Sequence, residues 1–193
     1  MKSILMSIQP KWVAKILNGE KTIEVRKRFK LDYRGWAYIY CTKDKVFELC
    51  YPTNFNNELN IYDRVVNGKV VARFYCDNVE EIDCTGFYED LSFGKGRDIE
   101  SYNTNTLTEE ELLDKSCLTE EEMHDYLDCG CQRRAIHISQ LEIFDKPKEL
   151  SEFYTKHYPQ FVNMVKNKTH YELTPLTKAP QSYCWIEVLD DVE

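Results

Sequence analysis

The sequence predicts an α+β fold in which about five or six strands make a small mixed β-barrel, with helices in the connections. Three observations lead there. Segments that alternate apolar and polar residues, or that are rich in aromatic and β-branched side chains, recur along the chain. The clear helical patterns are few and short. Strands and helices do not take turns, which disfavours a doubly wound parallel sheet. Composition agrees: 42% hydrophobic residues with seven Gly and six Pro in 193 residues exclude a disordered or fibrous chain. The length suits one domain over residues 1–193.

The elements follow in order. Pro10 can open a helix without losing a needed N–H, and Trp12, Val13, Ile16 and Leu17 then share one side until Asn18-Gly19 closes it, giving a helix over 10–18. Lys21 to Arg26 alternates with period two, so Ile23 and Val25 share one face of a strand and Thr22, Glu24 and Arg26 the other. Trp36 to Cys41 is aromatic enough for a buried strand. Asn67-Gly68 is a hairpin signal before Val70 to Cys76, which is expected to pair with the segment near 61–66.

From Thr85 to Gly130 the strand signal stops, and two near-identical starts follow, Leu107-Thr108-Glu109-Glu110-Glu111-Leu112 and Leu118-Thr119-Glu120-Glu121-Glu122-Met123. Each has a Thr N-cap, a Glu at N3 and an apolar pair that can staple the first turn, so each predicts a short acidic helix. Ala135 to Phe144 returns to strand character, Pro147 is expected to open a short helix through Phe153, a helix is expected from Pro159, and Tyr183 to Val188 makes the last strand.

Charge is unevenly spread. The net charge is −8, yet residues 1–36 hold nine Lys/Arg against three Asp/Glu, whereas residues 77–130 hold three against seventeen. A basic head of this kind suits a phosphate-bearing partner, and the acidic 107–128 segment reads most simply as a solvated face, with a surface for a protein partner as the alternative. The first residues are too short an apolar run for a secretory signal, and no stretch approaches the ~20 apolar residues of a membrane span. A cytoplasmic protein that binds no membrane is expected. Its eight cysteines are then read as reduced thiols, with no disulfide. Cys129-Gly130-Cys131, with Cys84, His124 or His137, matches no common zinc spacing, so neither metal nor cofactor is expected.

The stretch richest in chemistry is Gly19 to Arg26. Glu24 and Arg26 lie two residues apart on one strand face and can pair along a groove, with Lys21 at its entrance and Lys27, Arg28 and Lys30 beyond. Such a face suits a phosphate, a carboxylate or a base edge. A plain solvated strand has the same pattern.

The order Ser7-Ile8-Gln9-Pro10, an amphipathic helix, Asn18-Gly19-Glu20-Lys21-Thr22-Ile23-Glu24-Val25-Arg26 and an aromatic strand resembles the ASCH family, whose characteristic G-x-K-x-x-E-x-R element is met here as Gly19, Lys21, Glu24 and Arg26. The far end agrees: Ala135 to Ser139, Phe144 to Leu150 and Ala179 to Trp185 are similar to the C-terminal half of bacterial and phage ASCH proteins, leaving 45–60 and 85–117 as insertions. The resemblance implies a PUA-like barrel with a cleft beside the first helix, related to domains that bind RNA or modified bases. That cleft would use Lys21, Glu24, Arg26, Arg28, Trp12, Gln181 and Ser182 to bind RNA or a nucleotide. One family branch hydrolyses acetylated cytidine through a Lys, a Thr three residues later and a distant Glu. Here Lys21 matches, Glu24 occupies the Thr position, and no Glu lies in Val70 to Cys76. Others are proposed ribonucleases; in a hydrolase of RNA or of a modified nucleoside, Lys21 and Glu24 would be the catalytic pair.

Overall fold

The computed structural model describes residues 3–46, 48–51, 64–87, 98–127, 133–158 and 171–189. Among these the strands form one five-stranded, one three-stranded and three two-stranded sheets, none of which closes into a ring. With three α-helices among the described residues the architecture is α+β. The chain divides into two compact units, the first Met1–Ala14, Gly35–Phe74 and Leu141–Glu193, the second Lys15–Arg34 and Tyr75–Gln140. No helix of the described residues is long and apolar enough to cross a membrane.

The first unit is built on β1 (Ser3–Ile8), whose six residues are all buried. It pairs parallel with β3 (Gly35–Cys41) and antiparallel with β14 (Tyr183–Ile186). Outside β3 come β6 (Val70–Cys76) and then, at the edge, β11 (Ser139–Lys148). Leu5, Tyr38, Tyr40, Val70, Phe153 and Ile186 form the core against this sheet. The turn at Asn67-Gly68 forms, with Gly68 at φ +87° and the Lys69 N–H donating to Val66 O at 3.1 Å. Among the described residues its arms do not pair with each other as the sequence suggests. β5 (Arg64–Val65) pairs with β4 (Cys50–Tyr51), because both edges of β6 are taken by β3 and β11.

The strand expected over Ala135 to Phe144 is two strands in different sheets, β10 (Arg134–His137) and β11, separated at Ile138, with Gln140 at φ +45° as the second residue of β11. No helix starts at Pro147. β11 runs through it, and as an edge strand it tolerates a residue with no N–H to give. Only a 3-10 turn, Leu150–Glu152, follows. β12 (Tyr154–His157) then pairs with β13 (Glu172–Pro175). The helix expected from Pro159 lies outside the described residues.

The second unit centres on β2 (Ile23–Arg26), β10 and β7 (Val79–Glu81), in the order β2, β10, β7 with antiparallel pairing throughout. Beside them, β8 (Asp83–Phe87) and β9 (Asp98–Asn103) form a bulged hairpin where no strand is expected from sequence. Their Asp, Ser and Asn content has little intrinsic β preference, so the pairing is set by the partner strand. α2 (Glu109–Ser116) and α3 (Glu120–Leu127) start where the capping boxes place them. Leu107, Leu112, Met123 and Leu127 join Ile23, Val25, Ile82, Tyr102 and Ala135 in one core. The acidic helices therefore bury one face each.

Candidate functional site

The helix α1 (Pro10–Leu17) ends at Gly19, whose φ of +76° lets the backbone reverse so that the Glu20 and Lys21 N–H groups both donate to Lys15 O at 3.0 Å. This reversal delivers Lys21 to the start of β2. The Lys21 Nζ donates to the Ser116 carbonyl at 2.6 Å, and the Thr22 N–H donates to Lys115 O at 2.9 Å, so the C-terminal end of α2 receives a cation where its dipole is negative. Glu24 stands between two positive groups, with Oε2 3.5 Å from Lys21 Nζ and Oε1 2.9 Å from Arg26 Nε. The ion pair predicted from the spacing forms.

Its setting differs from a solvated strand. Lys21, Glu24 and Arg26 are 2%, 6% and 7% exposed, so β2 is covered on both faces. Burial pulls the Lys21 ammonium below the usual lysine range, against the opposing pull of Glu24. On the neighbouring strand Arg134 lies directly opposite Arg26 and is also buried, its Nη1 2.8 Å from Glu81 Oε1. Tyr126, near the end of α3, completes the group. Burial pushes its phenol up, Arg26 opposes and Glu24 reinforces the shift, and the Lys27 N–H reaches its hydroxyl. Nearby, Cys117 and Lys15, Glu20, Leu113, Asp114, Leu118 and Thr119 line a cavity of about 520 Å³.

Of the residues expected from sequence, Lys21, Glu24 and Arg26 are brought together. Arg28 is exposed on the loop after β2, with Lys27 half-buried beside it. Trp12, Gln181 and Ser182 belong to the first unit. There Trp12 has the Lys11 ammonium 4.1 Å from its ring centroid, and Gln181 is exposed. The Ser182 carbonyl accepts from the Ser7 N–H at 2.9 Å while Ser7 Oγ donates to Pro180 O at 2.6 Å, so the serine of the first motif holds the last one. Sequence reasoning missed Arg134, Glu81, Tyr126 and the Ser116 carbonyl. The Arg133-Arg134 pair ahead of an apolar strand was the available signal.

A second buried carboxylate, Glu80, accepts from Thr104 Oγ1 at 2.8 Å, from Thr106 Oγ1 and N–H at 2.8 and 3.1 Å, and lies 2.5 Å from His137 Nε2. Burial alone would raise its pKa, and these donors together lower it. Among the described residues no three His, Cys, Asp or Glu side chains are grouped to hold a metal. Cys129 and Cys131 lie outside them. Burial pushes the Cys41 and Cys76 thiols up to about 12.

No family model and no curated protein matches this sequence. Solved structures do match its fold. The ASCH protein from Zymomonas mobilis is 17% identical, aligned over 96% of this chain and 88% of that one, with a TM-score of 0.52. A serine-to-alanine mutant of the same protein is 18% identical over 96% and 89%, with a TM-score of 0.50. These likenesses give the conclusion that this chain has an α+β fold of the ASCH type, like that of the Zymomonas mobilis protein.

Proposed function

We propose that the chain, residues 1–193 acting as one ASCH domain, binds RNA or a nucleotide-like ligand through the second unit. The observation that carries this reading is the burial of three ionisable side chains within six residues of sequence, Lys21, Glu24 and Arg26. Apolar residues of similar size would hold a sheet at least as well as a buried ion group, so the charges are better accounted for by recognition than by stability. Arg26 offers a planar fork to a phosphate or base edge, Glu24 fixes its direction, and Lys21 adds a point charge. Arg28 supplies an exposed cation on the adjoining loop. Trp12, Gln181 and Ser182 are candidates on their own unit, each to be tested by its own variant.

A thermal-shift screen of nucleosides, nucleotides and short RNAs tests the reading, since a ligand that binds the native state raises the apparent melting point. The best ligand is then titrated against Arg26→Ala and Arg26→Lys, with circular dichroism confirming the fold. Each should lose about 1–3 kcal/mol, the lysine rescuing little because it lacks the fork. Unchanged affinity in both folded variants would remove the group from the site.

One observation favours a hydrolase of RNA or of a modified nucleoside as the second reading. Lys21 is held below the usual lysine range 3.5 Å from Glu24, which brings a neutral amine closer to hand as a general base. Incubation with acetylated cytidine and with short RNAs, followed by chromatography, would show product in wild type and none in Lys21→Met. Wild-type protein that leaves every substrate intact would confine the site to binding.

A further inference from the structure

Tyr126 is 39% exposed and carries its hydroxyl toward the Lys27 backbone. The Lys27 N–H reaches that hydroxyl, and the Lys27 ammonium lies 5.7 Å from the ring centroid. The residue is thus tethered through its hydroxyl and partly exposed. The loop that follows β2 carries Lys27, Arg28, Lys30 and Arg34 with a single acid, Asp32. Arg34 is occupied locally, by Tyr33 O at 2.7 Å, Leu31 O at 3.1 Å and Asn78 Oδ1 at 2.8 Å. Arg28 and Lys30 are exposed. The acids of the first turn of α3, Glu120 to Glu122, lie about 6–9 Å along the axis from Tyr126 at 1.5 Å per residue, and the exposed Asp125 stands beside it in sequence. A polyanion would reach the ring from the side of Lys27 and its loop rather than along the acidic helix.

We propose that the ring of Tyr126 is a stacking platform for one base of a single-stranded RNA whose phosphates follow Lys27, Arg28 and Lys30. The inference rests on the proposed function and extends it from the buried strand to α3. Three features of the surface suit this occupant. Every base has a π-face, so a lone anchored aromatic takes single strands with little sequence preference. A ring already held by its hydroxyl loses little freedom on binding. The cations lie in one loop beside the ring, matching a backbone that runs past a stacked base, whereas a duplex would keep its bases stacked on each other.

The test is fluorescence anisotropy of the full chain with a short labelled oligouridine over a range of salt. Tyr126→Ala and Tyr126→Leu should weaken binding roughly ten- to a hundredfold, and Tyr126→Phe, which keeps the ring, should retain most of it. The salt slope should be unaltered in Tyr126→Ala and shallower by about one in Arg28→Ala. An abasic strand of the same length should bind wild type and Tyr126→Ala equally. If oligouridine and the other homopolymers fail to bind wild type, this inference is overturned, while the proposed function stands or falls with the thermal-shift screen of nucleosides, nucleotides and short RNAs. If wild type binds, Arg28→Ala weakens it and folded Tyr126→Ala and Tyr126→Leu do not, the inference alone is overturned. Leucine performing as well as tyrosine would likewise overturn it by showing that bulk suffices.

Discussion

Glu24 is the residue on which the buried group depends, since it faces Lys21 on one oxygen and Arg26 on the other. Glu24→Ala leaves two buried cations without their shared carboxylate and should cost about 3–5 kcal/mol in urea unfolding. A loss under about 1 kcal/mol would show that the remaining contacts suffice. Lys21 makes a pH prediction. Its folded pKa is below the unfolded 10.5, so between the two values the unfolded chain binds more protons and stability rises with pH. The stability gap between wild type and Lys21→Met should therefore shift in favour of wild type as pH climbs from neutral toward 10.5. Urea midpoints for both proteins at pH 7.5 and 10 check it, and a constant gap would contradict a perturbed Lys21.

The elements that carry local chemistry make their own predictions. Thr108 accepts from the Glu111 N–H while Glu111 Oε2 accepts from the Thr108 N–H, and Thr119 and Glu122 repeat the exchange. Thr108→Ala and Thr119→Ala should each cost about 1 kcal/mol. Thr108→Ala should also increase hydrogen exchange at Thr22, whose N–H is held by Lys115 O at the far end of α2. The loop ahead of α2 is tied to β7 by Glu80. With its folded pKa depressed below 4.5, Glu80 contributes fully above that value and loses its contribution as pH falls through the folded pKa. The stability difference between wild type and Glu80→Gln should be full at pH 6 and shrink by pH 3.5. A difference that holds constant would mean that the charge adds nothing beyond the hydrogen bonds.

For the whole molecule, α1, β6 and β11 each run from residues of one unit into residues of the other without a break. Unfolding one unit alone would strip each shared element of part of its hydrogen-bonded length, so the two units are expected to unfold together. The Cys41 thiol reports on the first and Cys76 on the second, both buried and both pushed up to about 12, hence inert to disulfide reagents while folded. Their labelling, followed by peptide mass spectrometry across a urea series, should rise at one concentration. Two separate midpoints would show two independently stable units.

What the sequence by itself determined is what a few neighbouring residues can encode. Pro10 and Gly19 bound the first helix, the two Thr-x-x-Glu boxes start α2 and α3, and the aromatic runs make β3 and β14. The Lys21, Glu24 and Arg26 spacing foretold their ion pairing, and with the flanking motifs it carried the likeness to an ASCH fold. Only the tertiary structure decided that Ala135 to Phe144 splits between two sheets, that Asp98 to Asn103 becomes a strand, and that Tyr126 reaches the Arg26 group. It also decided that the charged face of β2 is buried. The physical reason is common to all four. Period-two alternation fixes which residues share a face, but the strand that pairs beside them and the segment that covers them come from far along the chain, so burial, and with it the proton affinity of Lys21, is a property of the assembled core.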